Sequence, residues 1–195
     1  RDAQESRGLG DVYKRQGPEG SDLCITPVSA PENHYVRIKA DNRLEADGTL
    51  RGTFTLTAEG QSDSNIRRIF TTGFQSEWKS TMERQLLAIS PKARLLSVDY
   101  GKNPKDYQAA PIKITFRYEI PDYALKGEGE MFFRPMVMNN LYNQVRSYMW
   151  IDTSVENRKY GFKDGCSRLV ELDETIQLPA GYKLVSAAKD ETMQG

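Results

Sequence analysis

The sequence predicts a mainly β, α+β domain: an antiparallel β-sandwich of about seven strands, with a two-helix insertion after the first hairpin. Three observations predict it. Apolar and polar residues alternate strictly on both sides of one turn. The period then changes to that of a helix over about 63–89. From residue 93 onward the alternation returns.

The hairpin is the clearest element. Val36, Ile38, Ala40 and Leu44 share one face, and Arg37, Lys39, Asp41 and Arg43 the other. The turn Ala46-Asp47-Gly48-Thr49 follows. Leu50, Phe54, Leu56 and Ala58 then oppose Arg51, Thr53, Thr55 and Thr57. A period of two describes a strand with one wet face, and Asp-Gly between two such runs is a turn signal.

Beyond Gly60 the apolar residues recur at three and four. Ile66, Ile69, Phe70 and Phe74 form one set; Trp78, Met82, Leu86 and Ile89 form a second. Two amphipathic helices are expected, over about 64–72 and 76–89, broken at Gly73. Ser62 or Asp63 can cap the first and Ser76 the second. Ser90-Pro91 ends the second, because the residue before proline is pushed out of helical geometry.

The later strands are expected at 93–100, 112–120, 130–133, 169–178 and 183–187. The clearest carries Ile112, Ile114, Phe116, Tyr118 and Ile120 inward, against Lys113, Thr115, Arg117 and Glu119. Lys126-Gly-Glu-Gly-Glu130 reads as a hairpin turn. Residues 135–153, rich in Met, Asn and Tyr, read as a long structured loop.

The chain divides into three parts. Residues 1–16 are aperiodic, and their string Glu-Ser-Arg-Gly-Leu-Gly-Asp-Val-Tyr-Lys-Arg-Gln resembles a translated sequencing adapter; they are expected to be non-native, unstructured and dispensable. On that reading the natural protein continues upstream. Residues 17–32 read as a Pro- and Gly-containing linker with a short apolar run, Leu23–Ile25, suited to an edge strand. Residues 33–190 form the domain.

Composition narrows the classes of function. Lys plus Arg equals Asp plus Glu at 27 each, which argues against a nucleic-acid footprint. No apolar run approaches the ~20 residues of a membrane span.

The chemistry-bearing residues are few. His34 is the only histidine, and Cys24 and Cys166 are the only cysteines. The cysteines can form one bridge in an oxidising compartment, although two buried thiols are the commoner outcome. A cysteine hydrolase built on Cys166 and His34 lacks a visible acidic orienter. No His or Cys spacing suits a closed zinc site, and no glycine-rich loop suits a phosphate. No catalytic, cofactor-binding or metal-binding residue is therefore assigned.

The carboxylates Asp164, Glu171, Asp173 and Glu174 cluster near one strand. Glu171 and Asp173 share a face and read as solvated charges. Glu174 falls in phase with the inward Val170, Leu172, Ile176 and Leu178, marking a bulge or a sandwich rim. Tyr142, Tyr148 and Trp150, with Met136, Met138 and Met149, make up a candidate interaction surface. The alternative, that they plug one end of the core, is the commoner behaviour of an ordered long loop.

Six segments carry a family resemblance. They are Thr26-Pro-Val-Ser-Ala-Pro-Glu-Asn33, Leu44-Glu-Ala-Asp-Gly-Thr-Leu-Arg-Gly52, Ile66-Arg-Arg-Ile-Phe70, Phe116-Arg-Tyr-Glu-Ile-Pro121, Arg158-Lys-Tyr-Gly-Phe162 and Thr175-Ile-Gln-Leu-Pro-Ala-Gly-Tyr182. In this order and spacing the chain resembles the C-terminal β-sandwich domain of exported bacterial transglutaminase-like proteins, over about residues 20–187. These proteins belong to the papain-like superfamily and carry an N-terminal domain of unknown function. Their Cys-His-Asp triad lies in a central core, and none of its motifs matches a position here. The resemblance thus implies a non-catalytic accessory domain in the periplasm or cell envelope, or secreted. Its partner would be the upstream papain-like core of the same polypeptide, with an envelope protein or peptide as a further one. An independent glycan- or peptide-binding module using the aromatic loop is the alternative.

Overall fold

A computed structural model of the chain describes residues 12–17, 20–25, 29–109, 111–137, 167–187 and 192. Along it run β1 (Val12–Gly17), β2 (Gly20–Ile25), a 3-10 turn (Pro31–His34), β3 (Val36–Leu44) and β4 (Leu50–Ala58). Helix α1 (Gly60–Thr71), a second 3-10 turn (Gln75–Glu77) and α2 (Trp78–Leu87) follow. Then come β5 (Arg94–Asp99), β6 (Ile112–Ile120), β7 (Leu125–Lys126), β8 (Met131–Phe132) and β9 (Val170–Gln177).

The expected first hairpin forms the middle of a five-stranded sheet of order β5-β6-β4-β3-β9. Its register sets Val36 opposite Ala58 and Leu44 opposite Leu50. The turn closes through the Gly48 amide, which donates to the Glu45 carbonyl at 2.9 Å. Gly48 has φ of 89°, a left-handed conformation that costs glycine little. The Asp47 carboxylate accepts from the Thr49 amide at 2.9 Å, which holds its pKa below the usual range.

Both helices lie against the apolar face of this sheet. Ile66 and Phe70 of α1, and Trp78, Met82 and Leu86 of α2, join Ile38, Phe54, Ile114 and Phe116 in one core. The i, i+4 spacing of these residues places them on one stripe of each helix. Phe54 and Phe116 stack with ring centroids 4.3 Å apart. Phe70, Trp78 and Tyr100 form an edge-to-face cluster with centroids 5.2–5.7 Å apart.

Several expectations need correction. The fold is α+β and mostly sheet, but the described residues do not close into an antiparallel sandwich. Alternation tells that one face of a strand is buried, not whether a sheet or a helix buries it; here the helices do. The sheet is also mixed, because β9 runs parallel to β3. Residues 183–187 are not a strand: Leu184 and Val185 are 64% and 82% exposed. Their β propensity finds no strand to pair with among the described residues.

Residues 1–16 are not wholly irregular. Val12–Gly17 pairs with Gly20–Ile25 as an antiparallel hairpin with Gly17 opposite Gly20. Backbone pairing across a short turn does not require an apolar period, so periodicity gave no warning of it. The apolar run Leu23–Ile25, by contrast, lies in a strand as expected. The turn at 126–130 is also met, closed by the Gly127 amide donating to the Glu130 carbonyl at 2.9 Å.

The helix caps differ too. Helix α1 starts at Gly60, and neither Ser62 nor Asp63 is its cap. Ser76 sits inside the 3-10 turn that leads into α2. Among the described residues, no helix is long and apolar enough to cross a membrane.

Candidate functional site

His34 does structural work. Its Nδ1 accepts a hydrogen bond from the Gln61 amide at 3.0 Å, and its carbonyl accepts from Ser62 Oγ at 2.9 Å. The imidazole thus satisfies one of the amides that a helix start leaves unpaired. This places the single histidine half-buried at the N-terminus of α1. Cys24 lies in β2 in register with Tyr13. Cys166, Asp164, Tyr142, Tyr148, Trp150, Met138 and Met149 lie outside the described residues. Met136 is described and fully buried, so it is not available to an interaction surface.

The carboxylates of β9 separate by face. Glu171 pairs with Arg37 across the strands, and Asp173 lies 4.0 Å from Lys39. Both pairs are solvent-exposed. Glu174 points the other way, as its phase indicates, and accounts for itself without a bulge. Its Oε1 accepts from Asn42 Nδ2 at 2.7 Å and from the Met136 amide at 3.2 Å. Its Oε2 accepts from the Val137 amide at 2.9 Å. Asn42 is buried and in turn accepts from the Tyr118 hydroxyl through Oδ1.

Gly52 makes room for this network. It stands between Asn42 and Tyr118 in the register of the sheet. A Cβ there would overlap the Asn42 side chain and lie 2.9 Å from its Cα. Burial raises the Tyr118 phenol well above its ordinary value, and the Glu174 carboxylate adds to the effect. Burial likewise pushes Tyr123 up to about 12; its hydroxyl donates to the Arg134 carbonyl at 2.7 Å. The polar network therefore ties residues 134–137 over one end of the sheet.

A buried charge ties down the β5–β6 connection. Arg67 is almost wholly buried and donates from Nε to Asp63 Oδ2 at 2.7 Å. Its Nη1 reaches the carbonyls of Pro104 at 3.2 Å and Asp106 at 2.8 Å. Asp63 Oδ1 accepts from the Ile112 amide at 2.7 Å.

The opposite, wet face of the sheet carries a shallow concavity of about 320 Å³. Asp41, Arg43, Arg51, Thr53, Arg117, Thr175, Gln177 and Leu96 are among its lining residues, which also include Asn42, Gly52 and Tyr118. Arg43 stands directly across from Arg51 in the β3–β4 register. Thr53 stands between Asp41 on one side and Arg117 on the other. Glu119 serves both Arg51, at 3.3 Å, and Arg94, at 3.2 Å. Arg43 lies 3.5 Å from Glu45.

The sequence reading missed Asn42, Tyr118, Arg67 and the arginine cluster. Two signals could have found part of this. A glycine in the middle of a strand marks a close approach, and the hairpin register, once fixed by the turn, puts Arg43 against Arg51. Among the described residues, no three His, Cys, Asp or Glu side chains group to hold a metal ion.

No family model matches the chain, and no curated protein or solved structure is significantly similar to it.

Proposed function

We propose that the chain is a non-catalytic accessory domain that docks on a papain-like core in the same polypeptide. The family resemblance is the source of this reading, and one observation carries it further. Leu125 and Phe132 stand opposite each other on the β7–β8 hairpin and are 74% and 60% exposed. A paired apolar surface on a short hairpin gains by being covered. The use of His34 as a helix cap also favours a structural over a catalytic role. The reading carries with it an exported, periplasmic or envelope location in a bacterium.

The test uses the polypeptide that contains both the upstream core and this domain. Leu125→Asp with Phe132→Asp is expected to lower the melting temperature of the core and to raise amide exchange at 125–132. Unchanged exchange and an unchanged core transition would refute docking through this hairpin. A signal-dependent reporter fused behind the native start of that polypeptide tests export; retention in the cytoplasm would contradict it.

The concavity on the wet face favours a second reading, in which the domain binds a glycan or peptide in its own right.

A further inference from the structure

We infer that the concavity on the wet sheet face takes a small hydroxylated carboxylate, of the kind a uronic-acid sugar presents. The inference rests on the binding-module reading and names its ligand.

Three features point to an anionic group. Like charges directly opposite on a sheet destabilise it, yet Arg43 faces Arg51 here. Arg117, on the neighbouring strand, is exposed and forms no ion pair with any described residue. Of the nearby carboxylates, Glu119 is already divided between Arg51 and Arg94. The arginine cluster is thus under-neutralised in a chain whose net charge is zero. A guanidinium fork matches a carboxylate in two parallel hydrogen bonds, and a ligand carboxylate between Arg51 and Arg117 would relieve the repulsion.

The rest of the lining argues against a bare anion. Asp41 stands across Thr53 from Arg117 and would repel a second negative charge. With Thr53, Thr175 and Gln177 it offers acceptors and donors suited to hydroxyl groups. Leu96, also in the lining, is 49% exposed and offers an apolar surface for the C–H face of a ring. The volume lies near the roughly 300 Å³ lower end of small-ligand sites, which suits one ring rather than an extended strand.

The experiment is an amide-resolved NMR titration of the full chain with glucuronate, glucose, inorganic phosphate and a glutamate hexapeptide. Saturable shifts at Thr53, Arg117 and Thr175 with glucuronate are expected, at least tenfold weaker with glucose and with phosphate. Arg117→Gln should weaken glucuronate binding at least tenfold with an unchanged melting temperature. Lys113→Gln, four residues away on the same face and not lining the concavity, should leave it unaltered. Phosphate binding as tight as glucuronate would overturn the inference in favour of a simple anion site. Preferential binding of the hexapeptide would overturn the sugar acid but keep the binding-module reading. No saturable shift with any probe would overturn both.

Discussion

Glu171 and Glu174 stand three residues apart on one strand and face opposite ways. The first meets Arg37 in solvent. The second is bound by Asn42 and two backbone amides beneath the segment that covers the sheet. The same side chain has two different roles, set by what surrounds it. An exposed ion pair exchanges water for a partner at little net gain. A half-buried carboxylate whose oxygens hold three donors cannot lose them without leaving those donors unpaired. The covered face therefore uses its few charges to fix the fold. The wet face carries many charges in exposed pairs that contribute little to the fold.

The largest effect expected on the covered side is at Arg67. Arg67→Ala strips Asp63 of its partner and releases the carbonyls of the 103–106 loop. A loss of about 4 kcal/mol is expected, the usual range for breaking a buried pair, measured by urea denaturation. A loss below about 1 kcal/mol would mean that water replaces the guanidinium easily, and that this charge belongs with the surface group.

Gly52→Ala sharpens the comparison next, because the added methyl falls on the Asn42 side chain and backbone. It must displace Asn42 and with it the link from Tyr118 to Glu174. About 2–3 kcal/mol is expected, within the range of overpacking, measured by urea denaturation.

The pH dependence is smaller and has a definite sign. Tyr118 and Tyr123 have folded pKa values raised above the ordinary 10.0. Above that value the unfolded chain releases phenolic protons that the folded chain keeps. Stability is thus intact below pH 10 and falls as the pH rises beyond it, by about 1.4 kcal/mol at pH 11 for the buried Tyr118. Tyr118→Phe should flatten this slope. An unchanged slope in the variant would show that Tyr118 ionises freely in the fold.

Much of the fold was legible because it depends on local pattern. The alternation in 36–44, 50–58 and 112–120 defines strands at nearly the observed limits, and the spacing of Trp78, Met82 and Leu86 defines the buried stripe of α2. What covered the strands was not legible, since an apolar face looks the same beneath a helix or a sheet. The direction of β9 was also hidden: a parallel pair between β3 and β9 depends on a crossover of distant residues. The candidate site was read least well. Glu174 was visible as a charge out of place, but its partners Asn42 and Tyr118 come from two other strands. The arginines of the wet face looked like ordinary solvated positions until the register set two of them face to face.

The contrast between Glu171 and Glu174 is tested most directly by denaturing the two alanine variants under identical conditions at pH 7. Glu174→Ala is expected to lose about 2–3 kcal/mol, because Asn42 and the amides of Met136 and Val137 are left without this acceptor. Glu171→Ala is expected to lose less than about 0.5 kcal/mol. Equal losses in the two variants would contradict the division of labour between the covered and the open face.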